Sequence, residues 1–337
     1  MANPILVEIT RGDRVESVHR GAVSVVDGDG NTVWQTGDTQ SPVFPRSAVK
    51  AIQALPLVES GTADALGFTD EMLALACSSH SGEPGHIETA TAMLAKAGLD
   101  EAALECGGHW SSQQPVLIEQ ARTYADTPTA ICNNCSGKHA GFVCTAAHTG
   151  VDPTGYISPD HAIMTNVRRA MEEMTNAEHS ITADCGTDGC SIPTHAIPLD
   201  AMALGFARMA TGKGLSNDRA NAAKRLMNAC MANPWHVAGT DRFCTSFMTT
   251  GAGRLFAKTG AEGVFCGAIP ELGYGIALKC DDGGTRGAEA MMAAVTAKLL
   301  GDTDPLYETL HNLGHTTMRN WNGIVAGEIR PSAGAFA

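Results

Sequence analysis

The sequence predicts an α/β protein of the α+β kind: one antiparallel sheet built from both ends of the chain, flanked by helices, with a helical domain inserted between them. Three observations lead to this class. Short β-branched runs bounded by turn residues crowd the N-terminal segment. Apolar residues at helical spacing dominate the middle. Strand-like runs separated by glycine return after Arg254, followed by a long helical pattern. Residues 1–70 and 236–337 are therefore expected to share the sheet domain, and 71–235 to form the mainly helical one.

The elements follow in order. Ile5-Leu6-Val7-Glu8-Ile9-Thr10 reads as the first strand. Ala22–Val26 and Thr32–Gln35 are two more, joined by Asp27-Gly28-Asp29-Gly30-Asn31, a strong hairpin signal. A short helical run should reach Leu55 and stop at Pro56. Met72–Cys77 is an apolar helical run. Pro84 and Gly98 frame the next helix, with Ile87, Ala90, Met93, Leu94 and Ala97 on one face. Ser158-Pro159 should open another, with Ile163, Val167, Ala170 and Met174 inward. Met202, Phe206 and Met209 mark a third helix, and Ser216 caps a fourth. Late strands are expected at Leu255–Lys258, Gly263–Cys266 and Gly275–Leu278, then a helix from Arg286 to Leu300.

Charge narrows the function classes. The 337 residues carry 23 Lys and Arg against 36 Asp and Glu, a net charge of −13. Such a surface gains nothing from nucleic acid or an anionic membrane, so neither is an expected partner. No apolar stretch approaches the roughly 18 residues of a membrane span. The opening residues show no basic segment followed by an apolar run, so a cytoplasmic protein is expected. The 11 cysteines then read as reduced thiols, mostly core packing, with some available to a metal.

Two motifs suggest nucleophilic chemistry. Ser47-Ala48-Val49-Lys50 fits Ser-x-x-Lys, which on a helix puts amine and hydroxyl on one face. A neutral lysine could take the serine proton, provided desolvation or a nearby cation lowers its pKa from about 10.4. Lys258-Thr259-Gly260, at the end of a predicted strand, supplies that cation. Ser-x-x-Lys on an early helix and Lys-Thr-Gly on a late strand is the element order of penicillin-binding proteins and serine β-lactamases. Either motif can also arise without function, the lysine in solvent and the Lys-Thr-Gly in a plain hairpin turn.

Two further clusters bear chemistry. Ser78-Ser79-His80-Ser81-Gly82-Glu83 offers hydroxyls, an imidazole and a carboxylate ahead of the Pro84 helix. It fits a polar pocket, or a helix N-cap at Ser81 with Glu83 in the first turn. Cys132-x-x-Cys135 and Cys185-x4-Cys190 are compatible with tetrahedral zinc, with a redox pair, or with buried thiols in glycine-rich turns.

Together these strings resemble the asparaginase II family, the rhizobial-type L-asparaginases. The likeness rests on Phe44-Pro45-Arg46-Ser47-Ala48-Val49-Lys50 with Gln53-Ala54-Leu55-Pro56, and on Ser79-His80-Ser81-Gly82-Glu83. It continues through Asn134-Cys135-Ser136-Gly137-Lys138-His139-Ala140-Gly141, Asp188-Gly189-Cys190 and Lys258-Thr259-Gly260-Ala261-Glu262-Gly263. One departure is Ala51, where the family pattern leads to proline.

The resemblance implies a serine β-lactamase/glutaminase-like fold, a homodimer, and hydrolysis of L-asparagine to L-aspartate and ammonia. It makes Ser47 with Lys50 one Ser-Lys pair and Ser79 with Lys258 a second. It assigns zinc to Cys135, Lys138 and Cys190, which returns Cys132 and Cys185 to structural thiols. Substrate contacts are expected from Arg46, His80, Glu83 and Asp188. Ser47 is the expected nucleophile with Lys50 as base, and Ser79 the alternative. Competing classes are a glutaminase, a penicillin-recognising serine hydrolase and a non-catalytic zinc-binding protein.

Overall fold

A computed structural model of the chain describes residues 2–336. Its main sheet has eight strands, β1 (Ile5–Arg11), β2 (Arg14–Val26) and β3 (Thr32–Thr36) from the N-terminal part, then five from the C-terminal part. A separate small hairpin, β4 (Cys185–Thr187) and β5 (Pro193–His195), lies in the middle of the sequence. The remaining strands are β6 (Phe256–Thr259), β7 (Val264–Ile269), β8 (Tyr274–Cys280), β9 (Thr316–Arg319) and β10 (Val325–Pro331). The main sheet runs β6-β7-β8-β2-β1-β10-β9, with β3 also paired to β2. Every pairing is antiparallel, so the expected α+β sheet from both chain ends is present.

β2 holds the two ends together. Its first half pairs with β1, and its second half pairs with β3 and β8. The sequence suggested only that second half as strand, because the first, Arg14–Arg20, is mostly solvent-exposed and carries no apolar run. β9, β10 and the helix Tyr307–Gly314 were not anticipated either. β7 is buried at every position. Helices Leu199–Thr211 and Thr285–Leu300 both pack on it, which explains why its sequence is apolar without alternation.

Several expected boundaries shift for local reasons. Pro56 does not end a helix; it occupies the first turn of the next one, Leu55–Glu59, where its missing N–H costs nothing. Ser158-Pro159 lies in a turn, and the helix Ala162–Thr175 starts after His161, whose ring nitrogen accepts from Ile163 N at 3.2 Å. Ser216 does cap its helix, accepting from Arg219 N at 3.3 Å. Among the described residues no helix is long and apolar enough to cross a membrane.

Candidate active site

The site is assembled where a short turn meets the end of the sheet. Arg46–Val49 form one 3-10 turn running into the helix Lys50–Gln53. In a 3-10 turn residues three apart eclipse, which sets Ser47 and Lys50 on one side. The turn packs against β6 and β7. Gly260 makes that approach possible: a Cβ there would stand 2.8 Å from Pro45 O and 3.1 Å from Ala48 N. Arg46 itself holds a positive φ of 50°, a conformation that non-glycine residues adopt at a cost.

Three lysines are almost wholly buried: Lys50 at 0%, Lys138 at 1% and Lys258 at 0% exposure. Lysine is almost never buried unless paired. Lys50 Nζ donates to Ser78 O at 2.5 Å, to Ser79 Oγ at 3.0 Å and to Cys135 Sγ at 3.0 Å. Lys258 Nζ lies 2.8 Å from Ser79 Oγ and 2.8 Å from Thr259 O. Ser79 Oγ thus sits between two amines. Burial, reinforced by the charge of Lys50, pushes Lys258 down to about 7.

Lys138 pairs with sulfur. It lies in the first turn of the helix Ser136–Thr149, for which Cys135 is the N-cap residue. Its Nζ stands 3.1 Å from Cys190 Sγ. Cys190 occupies the turn between β4 and β5, fixed by Asp188 N to Ile192 O at 2.8 Å and Ser191 N to Asp188 O at 2.9 Å. Cys190 donates to Cys135, and this hydrogen bond, aided by Lys50 and Lys138, holds the Cys135 thiol well below its ordinary range despite burial. Burial opposes charge on Lys138, yet the sulfurs of Cys190 and Cys135 and the Asp188 carboxylate outweigh it and raise its pKa.

These groups border a cavity of about 180 Å³ lined by Arg46, Ser47, His109, Asn134, Cys135, Asp188, Cys190 and Ala261, among others. Across it Arg46 Nε donates to Asp188 Oδ1 at 2.5 Å. Among the described residues no side chain hydrogen-bonds Ser47 Oγ, and neither Ser47 N–H nor Ala261 N–H has a backbone acceptor. The wall therefore offers an unengaged hydroxyl, two free amide donors, a cation and a carboxylate.

A family model now applies to this geometry: that of L-asparaginase II matches residues 7–331. The chain belongs to the L-asparaginase II family. It is accordingly an asparaginase-type amidohydrolase with a small-molecule substrate. No curated protein matches it significantly. Among solved structures it is similar to a β-lactamase from Mycobacterium bovis, 12% identical, covering 82% of this chain and 94% of that one, TM-score 0.42. It is likewise similar to a putative β-lactamase from Bacteroides dorei, 13% identical, covering 81% and 92%, TM-score 0.42. A third similar structure is Mglu, 15% identical, covering 85% and 69%, TM-score 0.38.

In this L-asparaginase II family member, nine of the anticipated residues bear on one place. Arg46, Ser47, Cys135, Asp188 and Cys190 line the cavity, and Lys50, Ser79 and Lys258 lie behind Cys135. Lys138 joins them through Cys190. The structure does not bring His80 or Glu83 to the cavity wall. His80 is buried; its Nδ1 accepts from Gly82 N at 3.0 Å and its Nε2 meets Ser136 Oγ at 2.9 Å. Glu83 caps the helix Pro84–Lys96 and accepts from Thr240 N at 2.8 Å and Thr240 Oγ1 at 2.7 Å. Its carboxylate is fully engaged in tying two loops together.

His109, Asn134 and Ala261 were missed as lining residues. His109 Nε2 accepts from Asn134 N at 3.0 Å, which orders the approach to Cys135. Asn134 and Ala261 lie inside quoted motifs and could have been named; His109 stands in an irregular stretch with no pattern to mark it.

Proposed function

We propose that the chain is an L-asparaginase that uses Ser47 as nucleophile. The observation that carries this is the chain of contacts Lys50–Ser79–Lys258 ending behind a cavity on whose wall Ser47 is unengaged. Ser79 can accept from one amine and donate to the other, so the two lysines share one proton. Lys258, lowered to about 7, is neutral above that pH and can then accept a proton from Lys50 through the Ser79 hydroxyl. When Lys50 is neutral it takes the Ser47 proton as Oγ bonds to the side-chain amide carbon. The C–N bond then breaks and ammonia leaves with a proton returned through Lys50. Water hydrolyses the resulting ester by the same route and releases aspartate.

The cavity supports a zwitterionic amide as substrate. Arg46 suits the α-carboxylate and Asp188 the α-ammonium. The N–H groups of Ser47 and Ala261 suit the developing oxyanion. The 180 Å³ is of the order of one small amino acid.

Cys135, Lys138 and Cys190 suit a zinc ion provided the Lys138 ammonium and the Cys190 thiol release their protons on binding, which makes zinc affinity rise with pH. In tetrahedral zinc with bonds of about 2.0–2.3 Å, neighbouring donors stand within about 3.3–3.8 Å, close to the spacing of Lys138 Nζ and Cys190 Sγ. The depressed Cys135 thiol supplies the thiolate such an ion needs. Bound there, zinc would supply a fixed positive charge beside the substrate. Cys190→Ser should lower zinc content, read by elemental mass spectrometry. The reading also carries the homodimer and the cytoplasmic setting expected from the sequence, the former checked by sedimentation.

The test is ammonia release from asparagine and glutamine by wild type, Ser47→Ala and Lys258→Ala. Release from asparagine, lost in both variants, supports the reading. Equal release from all three proteins refutes the site; release from glutamine alone refutes the substrate.

A further inference from the structure

Away from the cavity, three potential metal ligands meet at one point. His19 from β2, Cys280 from the end of β8 and Asp282 just beyond it present Nδ1, Sγ and a carboxylate oxygen all within 4.8 Å of one another. Asp282 Oδ2 is 2.7 Å from His19 Nδ1, and Asp282 Oδ1 is 3.0 Å from Cys280 Sγ. We propose that these residues form a second cation site, one that takes a divalent ion of the zinc class through nitrogen, sulfur and oxygen.

The donor set suits that class, since zinc accepts imidazole, thiolate and carboxylate and leaves a fourth position to water. Charge also balances: thiolate, carboxylate and a divalent ion sum to zero. Binding releases the thiol proton and moves the imidazole proton to Nε2. The ring is held by backbone, because a Cβ at Gly284 would lie 2.8 Å from His19 Cε1 and one at Gly287 would lie 2.6 Å from His19 Cγ. Gly287 lies in the first turn of the helix Thr285–Leu300. Asp282 is 52% exposed and gives an ion a way in, while His19 is 6% exposed.

Two neighbouring groups have to adjust. Arg286 Nε donates to His19 Nε2 at 3.2 Å, and must turn away once that nitrogen carries a proton. It is exposed and already within the field of Glu16, which offers it another partner. Gly284 N donates to Asp282 Oδ1 at 2.9 Å, leaving Oδ2 for the ion. The site lies directly behind the turn that carries Ala261: Cys280 N donates to Gly263 O at 2.8 Å, and Lys279 Nζ to Glu262 O at 2.7 Å. An ion there would stiffen the turn. The proposal is independent of the asparaginase reading.

The test uses the Cys135→Ser/Cys190→Ser protein, so that Cys280 is the thiol under study, titrated with Co²⁺. One ion per chain and a thiolate-to-cobalt absorption band are expected. Asp282→Asn and Cys280→Ser added to that background should each weaken binding at least tenfold, with Cys280→Ser abolishing the band. No band, or a band indifferent to both changes, overturns the proposal. Should the background fail to fold, the wild-type chain and Asp282→Asn are compared by dialysis against zinc. Loss of one ion per chain supports the site, and an unchanged count overturns it.

Discussion

Ser47 and Ser79 occupy opposite surroundings. Ser79 is buried, with an amine on either side at 3.0 and 2.8 Å. Ser47 lines the cavity with no side-chain partner, on a turn whose first residue has a positive φ. A buried hydroxyl between two lysines is well placed to pass protons and poorly placed to receive a substrate. A half-buried hydroxyl on the cavity wall beside two free N–H groups has the reverse character. Under the proposed function the pair divides the work: one side of Cys135 would manage protons, and the other would meet substrate. This sharpens the expectation from sequence, which set the two serines as rival nucleophiles.

The largest effect that could break this division comes from the serines themselves. Ser47→Ala should lower kcat by about 10⁴-fold or more, since the covalent route is removed. Ser79→Ala should cost about 10²- to 10⁴-fold, the range of lost general acid–base assistance. Equal or inverted losses in steady-state rates would undo the assignment.

Next comes the pH profile. Lys258 has a pKa of about 7 against an ordinary lysine near 10.5, so it is charged below pH 7 and neutral above. With Lys258 neutral as the active form, kcat/KM should rise about tenfold per pH unit below 7 and level off above it. Lys258→Arg, always charged, should lose both the activity and the inflection. A wild-type profile flat from pH 5.5 to 8 would place the working base elsewhere.

The cavity side responds in binding. Arg46→Ala and Asp188→Asn should each raise KM by about 10- to 100-fold, because each leaves the other charge of a partly buried pair alone. The double variant should cost less than the sum, as one shared interaction is lost. Strict additivity in asparagine kinetics would mean that the two do not act as a unit.

The smallest effect separates capping from substrate binding. Glu83→Ala should lower stability by about 1 kcal/mol through the lost cap, with KM unchanged. Thermal unfolding and KM measured together check this; a raised KM would return Glu83 to the substrate.

How much could be read in advance depended on what kind of signal each residue left. Ser47, Lys50 and Lys258 sit in short motifs whose spacing survives without any knowledge of the fold, and Cys190 and Asp188 are adjacent to a glycine turn. What spacing does not reveal is which partner a side chain finds. Lys50 and Ser79 are 29 positions apart, one on a short helix and the other in the irregular segment after Cys77, and only tertiary packing brings them to hydrogen-bond distance. His80 and Glu83 look like pocket residues in sequence, but a helix start consumes the same polar residues that a pocket does. β9 is largely exposed and has no alternating apolar face to announce it, and β10 is buried at only two of its seven positions. The buried central strands were legible because the core fixes their composition.

The division between the two serines is tested most directly by trapping the acyl-enzyme. Protein quenched in acid during turnover of asparagine, digested and mapped by mass spectrometry, should carry an aspartyl ester on the peptide that contains Ser47. The ester should persist in Ser79→Ala and vanish in Ser47→Ala. An ester on the Ser79 peptide, surviving in Ser47→Ala, would contradict the assignment.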